Sequence, residues 1–168
     1  GKLKNLHVRP QPASSTPSSV PSGMVCVKVR AVGLNFKDVM NVLIPNEAGF
    51  IGKVPMPGGD FAGNVLSLPE DYEGNLAVGD AVYGFDSTGN GMLHSTAIIH
   101  DYSVARMPQG LSFEEAAHLP MVFMTVEFAL GPEQADLKAG DAVAAGALLA
   151  GPLSKRSEWL HTWNKRFC

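Results

Sequence analysis

At 168 residues the chain has about the length of one ordinary domain, which is enough for one substantial hydrophobic core. Hydrophobic residues make up 45% of the sequence and charged residues 17%, a balance typical of globular rather than disordered proteins. The formal net charge is only −3 and no Lys/Arg stripe appears before the last residues, so nucleic acid and anionic membranes are not expected as partners. The longest apolar stretches, such as 142–150, are too short to span a bilayer.

Cysteine usage bears on the compartment. The chain has two cysteines, Cys26 and Cys168, and the second is the last residue. They make neither a disulfide framework nor a metal cluster, which favours a reducing intracellular compartment, cytoplasm or plastid, and leaves the localisation itself open. The chain opens with Gly1 and shows no signal-peptide pattern, so we expect a piece of a longer protein.

The first two thirds of the chain predict short strands separated by Gly- and Pro-rich turns. The clearest strand is 24–32, where Val25, Val27 and Val29 alternate with Cys26, Lys28 and Arg30. A half-exposed edge or hairpin strand would also explain most of this alternation. Further strand candidates are 3–10, 61–68, 80–85 and 92–99. Several short strands at close spacing predict a small barrel or sandwich.

Two segments predict helices. Residues 36–43 suit a short helix, with Asn35 available as its N-cap and Asp38 near the positive end of the helix dipole. Residues 113–130 predict a long helix that starts at a capping box of Ser112 and Glu115 and is kinked at Pro120.

Common catalytic and metal-binding patterns are missing from the sequence. The five histidines have no i,i+4 pair and no Cys-x-x-Cys beside them, so no zinc site is expected. There is no G-x-S-x-G elbow, and neither cysteine has a basic neighbourhood that would favour a thiolate. The residues alone therefore predict only a β-rich domain that ends in one long helix.

Five motifs in order carry a family resemblance. The segment VKVRAVGLNFKDVMNVL at 27–43 resembles the strand–loop–helix signature of medium-chain dehydrogenase/reductases, and within them the quinone oxidoreductases and the enoyl reductase domains of polyketide and fatty acid synthases. The segments at 57–63, 78–85, 104–130 and 137–143 are similar to the motifs that follow in that family. The resemblance implies a mainly β fold with some α-helix. The expected architecture is a GroES-like, partly open β-barrel, then a long interdomain helix and the first strand of an absent Rossmann domain.

The resemblance is to the zinc-free branch of this superfamily. Zinc alcohol dehydrogenases have a Cys where this chain has Asn35, and a His-Glu pair where it has Gly59 and Asp60. The four-cysteine zinc lobe has no counterpart in the sequence. No metal is therefore expected.

The resemblance also implies a division of the chain. We expect a GroES-like substrate-side domain at 1–110, an interdomain helix and the start of a truncated nucleotide-binding domain at 111–145, and a non-family tail at 146–168. The apolar strand expected near 142–149 would then need a protein partner to cover it. Trp159 and Trp163 in the tail could anchor such a partner or pack back onto the barrel.

The family reaction is hydride transfer from NADPH to the β-carbon of an α,β-unsaturated thioester. The implied substrate is an acyl thioester on a carrier protein, or a small molecule such as a quinone. The sequence leaves open whether the chain is an enzyme, because the cofactor fingerprint that should follow residue 141 is missing. The alternative function is a non-catalytic, reductase-like remnant that acts as a structural or interaction subunit of a larger complex.

By resemblance, four residues are candidates for the site. Asn35 is expected to line the pocket and contact the nicotinamide, Lys37 to meet a carrier phosphate or the enolate, Asp38 to support the loop, and Thr125 to contact the nicotinamide. Each has a purely structural alternative: an N-cap for Asn35, a solvated lysine for Lys37, a helix-start carboxylate for Asp38, and a threonine bonded to its own helix for Thr125.

Overall fold

The computed structural model of the chain describes residue 4 and residues 6–11, 19–43 and 56–130. The turn and strand predicted within 137–149 and the tail with Trp159 and Trp163 lie outside the described residues. Within the described part of the chain, no helix has the length and apolarity needed to cross a membrane.

Five strands and three α-helices form the regular structure of the described residues. The strands are β1 (Met24–Gly33), β2 (Asp60–Ser67), β3 (Ala81–Phe85), β4 (Thr96–His100) and β5 (Val104–Arg106). The α-helices are α1 (Phe36–Leu43), α2 (Phe113–Ala116) and α3 (Pro120–Leu130).

The strands form one antiparallel sheet in the order β4-β1-β2-β3-β5. Its two edge strands, β4 and β5, are joined only by the 3₁₀ turn Asp101–Ser103. Four strand spacings would place flat edges about 19 Å apart, whereas four Cα steps reach at most about 14 Å. The sheet must therefore curl, which confirms the GroES-like, partly open β architecture.

Hydrophobic residues fill both faces of the curled sheet. The larger cluster, inside the curl, consists of Val25, Val27, Phe61, Val65, Leu76, Val82, Met92 and Ile99. On the other face a smaller cluster of Ala62, Ala116 and Ala117 packs α2 against the sheet. Cys26, which alternates with Val25 and Val27 along β1, is also fully buried.

Several sequence-based boundaries are corrected by the structure. Residues 6–10 form no strand, although one was predicted over 3–10. The strand predicted over 92–99 begins only at Thr96, and β5 was not anticipated. β1 is not an edge strand, because it pairs with both β2 and β4.

The predicted long helix over 113–130 is two helices. After α2, the amides of His118 and Leu119 bond three residues back, to Glu115 and Ala116, so the last turn tightens. Pro120 then starts α3, since proline has no N–H and is favoured at the first helical position. The predicted kink is therefore a complete break.

The break brings the α2–α3 turn against the end of β1. A Cβ atom on Gly33 would lie 2.2 Å from the Ala117 carbonyl oxygen, so only glycine fits there. This close approach places the start of α3 beside the starts of α1 and β2.

Candidate functional site

The candidate site lies where α1, β2 and α3 begin. Three polar side chains from two distant segments meet there: Asn35 and Asp38 at the start of α1, and Asp60 at the start of β2. Asp38 is 6% exposed and Asp60 is 1% exposed, whereas Asn35 is half-buried. Two buried carboxylates therefore flank one partly accessible amide, and we call these three residues the Asn35 cluster.

Asp38 holds the segment before β2 against α1. Its Oδ2 atom accepts a hydrogen bond of 2.7 Å from the backbone N–H of Asn35, which closes the first turn of the helix. Its Oδ1 atom accepts one of 2.8 Å from the backbone N–H of Gly58. The expected supporting role of Asp38 thus has a geometric basis, because one carboxylate satisfies backbone donors from two segments.

The Asn35 side chain points away from its own helix. Its Nδ2 atom donates to the Oδ2 atom of Asp60 at 3.0 Å. The same Asp60 oxygen accepts from the backbone N–H of Met121 at 3.3 Å, one of the free donors in the first turn of α3. Asn35 therefore precedes the helix as predicted, but its side chain serves a long-range contact.

Asp60 has an unusual proton affinity. Burial raises the pKa of Asp60 from 3.8 to about 6, and the hydrogen bonds from Asn35 and Met121 counteract part of that effect. The charge of Asp38 raises the pKa further, and His118 lowers it. Within the described residues the other carboxylate oxygen, Oδ1, is buried and has no hydrogen-bond partner. The cluster therefore contains a carboxyl group that can change charge near neutral pH.

Of the remaining two candidates, Lys37 lies next to the cluster in sequence, and Thr125 lies on α3, whose first turn contacts Asp60 through Met121. Lys37 is half-buried on α1, so it is less exposed than a solvated lysine would be. Thr125 is half-buried on α3, and its hydroxyl donates to the carbonyl oxygen of Met121 at 2.7 Å. That bond is the helix-bonded alternative considered for Thr125.

Sequence reasoning named Asp60 only as the replacement for a zinc ligand and not as a site residue. A usable signal was present, because Asp60 is the single charged residue of PGGDFAG and enters an apolar strand. Charged residues are rarely buried unless they are paired or functional. Among the described residues, no three His, Cys, Asp or Glu side chains are grouped so as to hold a metal ion.

Relatives of known sequence and structure match the chain. The alcohol dehydrogenase GroES-like domain matches residues 21–109. Pks1 of Mycobacterium tuberculosis, named as an inactive type I polyketide synthase of phenolphthiocerol synthesis, is 39% identical over 151 residues, 90% of this chain and 9% of that protein.

Solved structures with the same architecture include both reductase types. The CurK enoyl reductase has a TM-score of 0.63 at 30% identity and covers 77% of this chain and 39% of its own. The quinone oxidoreductase of Coxiella burnetii has a TM-score of 0.57 at 25% identity, with coverages of 74% and 41%. The chain thus spans less than a tenth of the synthase and about two fifths of the reductases. It belongs to the alcohol dehydrogenase GroES-like domain family, within the medium-chain dehydrogenase/reductase superfamily.

Proposed function

We propose that the chain forms the substrate-side part of an NADPH-dependent reductase that acts on the activated C=C bond of an enoyl thioester carried by a protein, or on a quinone. The Asn35 cluster supports this assignment, because it offers one accessible amide on a rigid, buried support. The 30% identity to the CurK enoyl reductase and the match to a polyketide synthase over 90% of the chain favour the thioester over the quinone.

The Asn35 cluster suits a site that positions the reactants rather than one that supplies a nucleophile. Reduction of an enoyl thioester needs donor and acceptor held in line, water excluded and the enolate oxygen stabilised, and it needs no protein nucleophile. Asn35 is held through its backbone by Asp38 and through its side chain by Asp60. Such double support limits the motion of the amide, which is the requirement for a positioning group.

The described residues fit a nicotinamide cofactor at this place. NADPH, when bound, supplies the hydride. Within the described part of the chain, the Oδ1 atom of Asn35 accepts no hydrogen bond, so it is available to a ligand donor. The Thr125 hydroxyl has donated its proton to Met121 and keeps acceptor capacity. We expect Asn35 and Thr125 to orient the cofactor.

Apolar surface beside the cluster suits an acyl chain or a covering domain. Phe36, Val39 and Leu43 lie on one face of α1 and are 77%, 37% and 36% exposed. Lys37, on the same helix, is the proposed contact for a carrier phosphate or for the enolate oxygen.

The test begins with the intact mass of the protein isolated from its source, followed by an assay of that protein with NADPH and an enoyl thioester. Asn35→Ala should lower turnover at least about tenfold, because a fixed amide that orients the transition state is lost. Its melting temperature should fall by only a few degrees, since one hydrogen bond of about 1–2 kcal/mol is removed.

Asn64→Ala is the matched control. The Asn64 amide lies in β2 and, in the described part of the chain, bonds Arg30 and the carbonyl of Gly79, away from the cluster. It should leave turnover unchanged. Equal turnover of Asn35→Ala and the wild type would remove Asn35 from the site, and wild-type protein that oxidises no NADPH with either acceptor would refute the reductase assignment.

A second candidate function is a non-catalytic, reductase-like subunit of a larger assembly. It is favoured by one observation, the relative from Mycobacterium tuberculosis that is named as inactive. Purification of the native protein separates the two functions. A stable complex without reductase activity supports the subunit, whereas NADPH oxidation that depends on Asn35 supports the enzyme.

A further inference from the structure

Asp60 is a buried carboxylate whose neighbours in the sheet are uncharged. In the sheet it pairs with Gly33 of β1 and Phe85 of β3, neither of which carries a charge. Its Oδ2 atom accepts from the Asn35 amide at 3.0 Å and from the Met121 backbone at 3.3 Å. Its Oδ1 atom is buried and, within the described residues, has no partner. Among the described residues, the side-chain hydrogen bonds of Asp60 therefore converge on one oxygen, which links the starts of α1 and α3.

The ionised carboxylate determines which way the Asn35 amide points. A carboxylate can only accept hydrogen bonds, so the NH₂ group of Asn35 must face Asp60. The carbonyl oxygen Oδ1 then points to the opposite side. The Oδ1 atom of Asn35 therefore stays free to accept from a ligand, while one of its two N–H donors is committed to Asp60.

We propose that Asp60 is a positioning residue that sets the orientation of the Asn35 amide, so that the site accepts a hydrogen bond from an amide or hydroxyl group of its ligand, and that protonation of Asp60 reverses this polarity. The ligand class rests on the proposed function, since a nicotinamide carboxamide is such a donor. The orientation itself does not, because it follows from the contacts of Asp60 alone.

Protonation at Oδ2, the oxygen of Asp60 that faces Asn35, would reverse the amide. Protonated Asp60 carries one O–H donor, and Oδ1 of a turned Asn35 amide is the acceptor within its reach. The same Asp60 oxygen can still accept from the backbone of Met121. A half-turn of the amide then places its NH₂ group outward, so the ligand would meet a donor instead of an acceptor.

The charge change falls in an accessible pH range, since burial raises the pKa of Asp60 to about 6. The titratable groups that act on it are Asp38, from α1, and His118, from the turn before α3. Asp38 favours the protonated form and His118 the ionised form. At pH 7 the ionised form therefore predominates, and the amide is held with its acceptor outward.

The experiment is a pH titration of the ¹⁵N-labelled 168-residue chain, without cofactor, from pH 4.5 to pH 8 by NMR. The side-chain NH₂ resonances of Asn35 should shift along a sigmoidal curve with a midpoint near pH 6, because they leave a carboxylate as it is protonated. The curve should be absent in Asp60→Asn, whose amide is isosteric with the carboxyl and does not titrate. The side-chain amide of Asn64, which bonds Arg30 and the Gly79 carbonyl and no carboxylate of a described residue, serves as the internal control.

His118→Gln separates Asp60 from its titratable neighbour. The Asn35 transition should persist in this variant and move to slightly higher pH, because a group that lowers the pKa of Asp60 has been removed. If Asp60→Asn fails to fold, the ¹³Cγ resonance of Asp60 in the wild type must show the midpoint seen at Asn35.

Three results would overturn the proposal: Asn35 resonances that do not change with pH, a transition that survives in Asp60→Asn, or a transition that disappears in His118→Gln. None of them depends on reductase activity. A protein that reduces enoyl thioesters with a pH-independent Asn35 amide would refute only the orientation role of Asp60. A clear titration in a protein without activity would refute only the reductase assignment.

Discussion

The helices α1 and α2 begin with the same arrangement of residue types and use it differently. A polar residue precedes each helix and an acidic residue follows three positions later, Asn35 with Asp38 and Ser112 with Glu115. At α2 both side chains stay local: Ser112 Oγ accepts from the Glu115 amide, and Glu115 accepts from the Ser112 amide. This start is exposed and closes on itself.

At α1 only one of the two reciprocal hydrogen bonds of a capping box is present. Asp38 accepts from the Asn35 amide, but the Asn35 side chain bonds Asp60, and the second oxygen of Asp38 bonds Gly58. Both carboxylates are buried. A helix start becomes a candidate site when its capping residues have distant partners, and burial then makes each of those partners matter more.

The largest expected difference between the two helix starts is the stability that is lost when the acidic residue is replaced by alanine. Asp38→Ala leaves the backbone N–H groups of Asn35 and Gly58 without their charged acceptor, which should cost about 3–4 kcal/mol. Glu115→Ala should cost much less, because water can replace an exposed acceptor. Urea unfolding of both variants at pH 7 measures the difference, and equal losses would mean that the long-range bond to Gly58 contributes nothing.

The second difference between the two helix starts is how the free energy of unfolding changes with pH, through Asp60 at α1 and Glu115 at α2. In the folded chain the pKa of Asp60 is raised from 3.8 to about 6, above all by burial, so its favourable contribution is full below pH 3.8 and is lost as the pH rises through 6. The rise in the pKa of Asp60 corresponds to a free energy on the order of 3 kcal/mol. The stability of Asp60→Asn relative to the wild type should therefore improve by about 2–3 kcal/mol between pH 4 and pH 7.

Glu115→Gln is the control of opposite sign. The backbone N–H of Ser112 and then its hydroxyl lower the pKa of Glu115 below 4.5, so its contribution is present above that pH and is lost as the pH falls. This variant should become less stable relative to the wild type as the pH rises from 3 to 6. Equilibrium unfolding over that range tests both signs, and parallel curves for the two variants would contradict the assignment.

Local features were predictable from the sequence, and features that depend on distant residues were not. The strand β1 and the capping box of Ser112 and Glu115 depend on neighbouring residues, and both are confirmed, although the burial of Cys26 breaks the predicted alternation along β1. The break between α2 and α3 depends in part on the contact of Ala117 with Gly33, 84 positions away, so a continuous helix was the natural expectation.

The candidate site shows the same limit. The family resemblance pointed to Asn35 and Asp38, and in the structure Asn35 bonds both Asp38 and Asp60. Asp60 lies 25 positions from Asn35 and 61 from Met121, so no local pattern could show that its side chain receives a donor from each. Two sequence signals of a role were present: its charge at the start of an apolar strand, and its alignment with a zinc-ligand position of the alcohol dehydrogenases.

The smallest expected effect is at the exposed helix start, where Ser112→Ala removes the hydroxyl that accepts from the Glu115 amide. Loss of such a cap should cost about 1 kcal/mol, and Ser112→Thr should restore most of it. The pKa of Glu115 should stay low, because the backbone N–H of residue 112 is the larger cause and alanine keeps it. Thermal unfolding and carboxyl NMR titration measure the two effects separately. A Glu115 pKa that returns to 4.5 in Ser112→Ala would mean that the hydroxyl, and not the backbone, holds the carboxylate.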